Sequence, residues 1–241
     1  MLKSHYIKEL ETFLIDLGVV MHLAQEIITC YYLGYYNRAP DPAGFEFWVS
    51  NYENGISTLE IANFFADQVE TRALYPYFAD PNSGTPEQFI SSIYENLFNR
   101  VPDTEGLQYW IDALASGGVD AGQMIEKIIG GAVTNPDLAV VQNKVASALY
   151  WEDQANNFSN FNYNTAAATS ADEALEVVTD NPASITASQT LSDRYFAVFT
   201  EDKGYPGAGL TDGVTVDGVT SGRIGGSNGN DTLTGIAQNG T

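Results

Sequence analysis

Hard oxygen donors and arginine forks are the residues of this 241-residue chain best suited to chemistry. The stretch Gly225–Gly235, GGSNGNDTLTG, combines glycines, whose turns can aim backbone carbonyl oxygens inward, with the carboxylate of Asp231. Calcium takes six to eight such oxygens. Farther upstream, Arg38 and Arg100 hold matching places in two similar phrases, and a groove lined by them, with Tyr35 and Tyr36 beside Arg38, could take a ligand through guanidinium, hydroxyl and ring faces. The competing reading makes the same arginines part of the framework. The two histidines, His5 and His22, have no Cys or His partner at metal-ligand spacing, and His22 suits packing between helices. Cys30 lies in an apolar helical stretch and reads as a small buried hydrophobe. Acidic residues are numerous enough for chance carboxylate pairs, as a glycosidase would use, but the sequence has no nucleophile elbow, P-loop or metal-ligand cluster. The expectation is a protein that binds rather than catalyses.

The elements that must position the arginines are spelled twice. YNRAPDPAGFEFW runs from Tyr36 to Trp48 and FNRVPDTEGLQYW from Phe98 to Trp110, aligning without a gap at an offset of 62 residues. Self-similarity at a fixed offset marks an internal repeat. Each copy reads as a corner between two helices. Asn37 and Asn99 tolerate the left-handed conformation of a helix C-cap, and the arginine after each suits the negative end of the helix dipole. Pro40 and Pro102 block continuation. Asp41 and Asp103 then stand where an N-cap carboxylate meets free N–H groups, with Pro42 at the first helical position of the first copy. Phe45, Trp48, Val49 and Tyr52, and likewise Leu107, Trp110, Ile111 and Leu114, recur at helical spacing, so the second helix of each corner is expected to bury its tryptophan.

Around the corners the helical pattern is continuous. Residues 4–36 read as helix, broken near Gly18, with Ile27, Ile28, Tyr31, Tyr32 and Tyr35 on an apolar face. Ser57 and Glu60 form a capping box for a helix carrying Ile61, Phe64 and Phe65. Thr85 and Pro86 open the helix of Phe89, Ile90, Ile93, Tyr94, Leu97 and Phe98. Asp120 and Gln123 cap the next, and Asn135-Pro136-Asp137 opens a long helix through about Trp151 with Leu138, Val141, Val145, Ala148 and Leu149 inward. From Asn156 a polar loop is expected, then a helix capped by Ser170 and Glu173 and ended by Pro182, then a weaker helical stretch over 186–199. Beyond residue 203, Gly, Thr and Asp with alternating Val214, Val216 and Val219 read as strand or loop. The expected fold class is mainly α: two tandem helix-turn-helix repeats in a helical bundle, followed by a short β/loop segment. The expected divisions are 1–79, 80–155, 156–203 and 204–241.

Composition narrows the partners. Apolar residues make up 44% of the chain, enough for a core, while 31 acidic against 10 basic residues give a net charge of −21. A nucleic acid needs a basic footprint, which is missing, and a bare anionic membrane is disfavoured for the same reason. Such an excess of carboxylates fits a secreted or salt-exposed protein, or one that meets divalent cations. One cysteine allows no intrachain disulfide. Glu9, Glu11 and Asp16 interrupt any signal-peptide core, and no apolar run is long enough to span a membrane. Export, if it occurs, is expected to use a route that does not read the N-terminus.

Two resemblances sharpen this reading. The N-R-x-P-D-x-x-G-[FL]-x-[FY]-W phrase, present at Asn37–Trp48 and Asn99–Trp110, resembles the signature of a widespread bacterial repeat domain of unknown function found in RTX-type surface and secreted proteins. Gly225–Gly235 resembles the RTX calcium-binding nonapeptide, with Gly226, Gly229, Asp231 and Leu233 in register and Ser227 standing where the family has glycine. That likeness implies a calcium site drawn from Gly226, Asn228, Gly229 and Asp231, completed by a following turn that GIAQNGT does not supply. The chain stops mid-motif, as a piece of a longer RTX protein would. The order of features is similar to the N-terminal region of Caulobacter-type surface-layer proteins. This implies a secreted, cell-surface anchoring module of a Gram-negative bacterium, exported by a type I system. It also implies binding to lipopolysaccharide O-polysaccharide with calcium, and self-association in a lattice. Arg38, Arg100, Tyr35 and Tyr36 are the candidate glycan contacts. A looser likeness of the arginine-proline-aspartate phrase to phycobilisome rod linkers suggests the alternative, a scaffolding protein that binds other proteins.

Overall fold

The computed structural model describes residues 23–79, 84–132, 136–158, 161–197 and 199. Among the described residues the chain is helical and contains no strand, in keeping with the mainly α reading. His5, His22, the break near Gly18, the segment 204–241 and the proposed calcium ligands Gly226, Asn228, Gly229 and Asp231 lie outside the described residues.

The centre is α1, Leu23–Tyr36. Ile27, Ile28, Tyr31, Leu33 and Tyr35 are all buried, as are Glu26 and Thr29, so this helix is covered on nearly every side. It packs against α6 (Pro86–Phe98) and α9 (Asp137–Asn156), which also pack against each other, giving a triangular core. On α6 the inward stripe is Phe89, Ile90, Ile93 and Leu97; on α9 it is Val141, Val145, Ala148, Trp151 and Ala155, while Leu138 and Leu149 are half-buried at its margin. α2 (Pro42–Glu53) and α3 (Thr58–Asp67) lie over α1. The short helices α4 (Val69–Leu74) and α5 (Pro76–Ala79) lead back toward the core. α7 (Thr104–Ala115) rests on α6, and α8 (Met124–Gly131) wedges its Met124, Ile125, Ile128 and Ile129 between α1 and α6. α10 (Thr165–Glu176) and α11 (Ala183–Phe196) close over α9. The closeness of α8 to α1 depends on Gly34, where a Cβ would lie 2.6 Å from the side chain of Ile125.

Most terminators behave as expected. Asn37 and Asn99 adopt positive φ, 50° and 56°, and the Ser57–Glu60 capping box is complete. Several expectations do not hold. Ser170 is no N-cap: it is buried in the middle of α10 and its Oγ accepts from the Trp151 indole, 3.1 Å. Asn164 caps that helix instead, its Oδ1 accepting from the Ala167 N–H at 3.0 Å. The alanines of Thr165–Thr169 carry the helix through a stretch that reads as polar loop, because alanine loses no side-chain entropy in a helix. Helix α10 ends at Glu176, and Pro182 stands at the N-cap of α11 rather than closing its predecessor. Asp120 precedes a 3-10 turn, Ala121–Gln123, without a side-chain cap bond. The expected polar loop after Asn156 is largely aromatic packing: Phe158, Phe161 and Tyr163 join Trp151, Tyr195, Phe196 and Phe199 in one cluster. Trp48 and Trp110 are half-buried rather than buried, and α7 has no buried residue at all.

Candidate functional site

The two corners share the same joints. In each, the aspartate caps the second helix by accepting from the glycine N–H, Asp41 Oδ1 from Gly44 at 2.8 Å and Asp103 Oδ1 from Gly106 at 2.7 Å. In each, the arginine turns its Nη1 back on the next residue, donating to the Ala39 carbonyl or the Val101 carbonyl at 3.1 Å. The guanidinium then lies over two rings of the preceding helix, Tyr32 and Tyr36 for Arg38 and Tyr94 and Phe98 for Arg100, 5.1 to 5.8 Å from the centroids. Each arginine finally clamps a distant carboxylate. Arg38 meets Glu70 through Nη2 at 3.0 Å and Nε at 3.3 Å, and Arg100 meets Asp137 through Nη2 at 2.5 Å and Nε at 2.8 Å. This fork geometry makes charge-assisted pairs the stronger hydrogen bonds of a fold.

The corners differ in what covers them. A third ring, Tyr163, lies 4.9 Å from the Arg38 guanidinium, and the Arg38 side chain is 10% exposed against 40% for Arg100. Burial together with the adjacent Asp41 pushes the Tyr32 hydroxyl up, with Arg38 acting against the shift. Tyr35 is buried and donates to the Gly122 carbonyl at 3.2 Å. Tyr36 shares a hydrogen bond with Thr71 at 2.8 Å. The four residues proposed for a glycan are thus parted: Tyr36 and Arg38 meet in one cage, Tyr35 turns to the core, and Arg100 stands in the open second corner.

Between the corners lies an arrangement that sequence reading misses. Lys144 on α9 is buried, and its Nζ donates to the Asn96 carbonyl at 2.5 Å and to Asn37 Oδ1 at 3.2 Å, joining α6 to the first corner. Burial brings its amine down to about 8, with Asp172 opposing. At the other end of α9, Glu152 is buried beside Asp153, Asp41 and Glu46, and burial first, those carboxylates second, push it up to about 7. The one available signal was a charged residue falling beside the inward positions Val141, Val145, Ala148 and Trp151 of α9. Cys30 is buried, and burial with Glu26 nearby raises its thiol to about 12, so it is no nucleophile. Among the described residues no group of three or more His, Cys, Asp or Glu side chains could hold a metal ion.

Three aromatic rings among the described residues are exposed: Phe47, Phe64 and Tyr109. Phe47 and Phe64 flank Trp48, with Phe47 edge-on at 4.9 Å and Phe64 stacked at 6.0 Å, and both phenylalanines are exposed. The matching place in the second corner carries exposed Tyr109 edge-on to Trp110 at 4.9 Å, and the Trp110 indole donates to the Tyr94 hydroxyl at 2.9 Å. An open depression beside Phe47 is lined by Ala43, Glu46, Ser50 and Asn51.

Comparison with known proteins matches one of the two corners to a family. Residues 78–130, which contain the second corner, match the family described as a domain of unknown function, DUF4214. The chain is similar to an S-layer protein of Synechocystis sp., 22% identical over 178 residues, an alignment covering 70% of this chain and 10% of that relative. The chain therefore spans about a tenth of the length of the curated relative it matches. No solved structure matches it significantly.

Proposed function

We propose that this chain is a non-catalytic module of a secreted, S-layer-related protein that holds its parent to the surface of a Gram-negative cell. The module grips lipopolysaccharide through the O-polysaccharide, with calcium assisting, and leaves the cell by a type I system. The observation that carries the reading is the similarity to an S-layer protein over most of the chain. The geometry supports it: the arginines and aspartates of both corners serve as joints between helices, which suits two tandem helix-turn-helix repeats built as a rigid support. No described helix is long and apolar enough to cross a membrane.

Calcium enters for two reasons. Gly226, Asn228, Gly229 and Asp231 offer carbonyl, amide and carboxylate oxygens, hard donors of the kind calcium takes, in a stretch that resembles the RTX nonapeptide. A chain of charge −21 is also repelled by anionic lipopolysaccharide unless cations bridge the two or the bound sugar is neutral. Titration of the full chain with purified lipopolysaccharide tests both points. Binding is expected with calcium, and lost with excess chelator or with lipopolysaccharide lacking O-polysaccharide. Equal binding in all three conditions would overturn the reading.

A further inference from the structure

On the outer face of α2 and α3 two phenylalanines stand in the open beside a half-buried tryptophan. Phe47 is 57% exposed and Phe64 49%, and they flank Trp48 at 4.9 and 6.0 Å. The ridge is fixed from beneath: Trp48 lies 5.0 Å from Phe65, which packs against Tyr31 and Tyr35 of α1. The second repeat builds no such ridge. There the places of Phe47 and Phe64, 62 residues on, hold Tyr109 and Glu126, and Glu126 accepts from the Tyr31 hydroxyl. An apolar pair left in water in one repeat alone calls for a cover that only that repeat has at hand.

We propose that the Phe47–Trp48–Phe64 ridge is the docking face for this chain's own residues 4–17, whose sequence reads as an amphipathic helix. Tyr6, Leu10, Phe13, Leu14 and Leu17 recur at helical intervals as one stripe, whereas Lys8, Glu9, Glu11 and Asp16 fall outside it. Such a stripe must be buried against another apolar face. The lengths fit. Leu23 begins α1, and Tyr31 and Tyr35, which mark the level of the ridge, lie about 12 and 18 Å farther along that helix. Residues 18–22 reach about 17 Å when extended. Fourteen helical residues add about 21 Å. Gly18 can adopt the left-handed turn that sends the chain back over α2. Charge does not drive the contact: α2 and α3 carry Glu46, Glu53, Glu60 and Asp67 with no basic residue, and residues 4–17 hold three acidic residues against one lysine. The docking is therefore apolar, and salt should tighten it by screening the repulsion. This inference depends neither on the glycan reading nor on any assembly of copies.

Amide hydrogen exchange of the full chain, followed by mass spectrometry, tests it. In the wild type the amides of residues 6–17 are expected to be protected, more so with added salt and equally at every protein concentration. Replacing both exposed rings, Phe47→Ser with Phe64→Ser, is expected to cut that protection about tenfold or more while α6 and α9 exchange as before. The reciprocal variant, Leu10→Asp with Leu14→Asp, charges the stripe without touching the described fold and is expected to speed exchange over α2 and α3. Residues 6–17 that exchange freely in the wild type overturn the proposal, as does protection that survives loss of the ridge. Protection that falls on dilution overturns it too, because the segment would then be donated to a second copy. An unprotected segment together with a ridge slowed by added O-polysaccharide would assign the ridge to sugar instead. Failure of lipopolysaccharide binding, with the segment still protected by the ridge, would remove the anchoring function and leave this contact standing.

Discussion

Arg38 and Arg100 occupy one position of a repeated phrase, yet the chain around them makes one a core residue and the other a surface residue. Arg38 is buried under three rings and forks onto Glu70; Arg100 is half-open with its fork on Asp137. Removing Arg38 deletes ring packing and charge-assisted bonds together and is predicted to cost about 2–3 kcal/mol. Removing Arg100 deletes an exposed pair and should cost about 1 kcal/mol or less. Urea unfolding of Arg38→Ala and Arg100→Ala checks the ranking, and equal losses would show that the cage around Arg38 contributes nothing. Arg38→Lys should recover little, since an ammonium cannot fork onto a carboxylate and lie flat between rings. The local half of each residue's role was legible: a positive-φ asparagine, an arginine after it, an aspartate reaching three residues ahead. Its remote half was not. Glu70 and Tyr163 are 32 and 125 residues away from Arg38, and nothing in the local pattern marks them as its partners. The framework reading of the arginines therefore stood beside the groove reading until the fold joined the pairs.

At the scale of helices, identical spelling again gives different packing. α2 is pressed against α1, α3 and α9, whereas α7 rests on α6 with no residue fully buried. The glycine of the phrase registers the difference. A Cβ on Gly44 would collide with the Tyr32 hydroxyl and lie 2.9 Å from both carboxylate oxygens of Asp41, so the cap and the α1–α2 contact would have to move. A Cβ on Gly106 would meet the Asp103 side chain, with Oδ1 nearest at 3.3 Å. Gly44→Ala is predicted to destabilise by about 2 kcal/mol, through lost capping and overpacking. Gly106→Ala should fall within about 1 kcal/mol of wild type, because alanine's helix propensity offsets a small shift of the cap. Thermal unfolding of the two variants decides the matter; a Gly106→Ala as damaging as Gly44→Ala would mean that α7 is held far more tightly than its exposure indicates. Motif spacing alone misleads at this scale. Ser170-x-x-Glu173 has the form of a capping box as surely as Ser57-x-x-Glu60, but only the latter follows a break in the helical pattern. Ser170 sits within an alanine-rich run whose start is set by Asn164.

Over the whole molecule, an excess of carboxylates meets a core in which α9 touches both corners. Lys144 binds the first corner to α6, and Asn143 reaches the carbonyl of Thr179, between α10 and α11, at 2.7 Å, so α9 is joined to its neighbours by polar contacts as well as apolar ones. The sequence divisions at 79 and 155 run across this packing, since the long helix that closes the second unit is also the floor of the first. Such an arrangement makes the buried charges of α9 matter to the stability of the entire fold. Glu152 ionises near 7 in the folded state and near an ordinary 4.5 once unfolded. Between those values the folded state holds the extra proton, so stability rises as pH falls from about 7 toward 4.5, and above 7 the cost of the buried carboxylate is present in full. A neutral isostere lacks this dependence. Glu152→Gln is predicted to be more stable than wild type by about 1–3 kcal/mol at pH 8, with the advantage shrinking through pH 6 and gone near pH 4.5. Urea midpoints of the two proteins across that range provide the measurement. A constant offset at every pH would assign the gain to packing and not to ionisation. Added salt should raise both midpoints at pH 8 by screening the chain's self-repulsion, and leave most of the difference between them, because a buried carboxylate is screened far less than the surface.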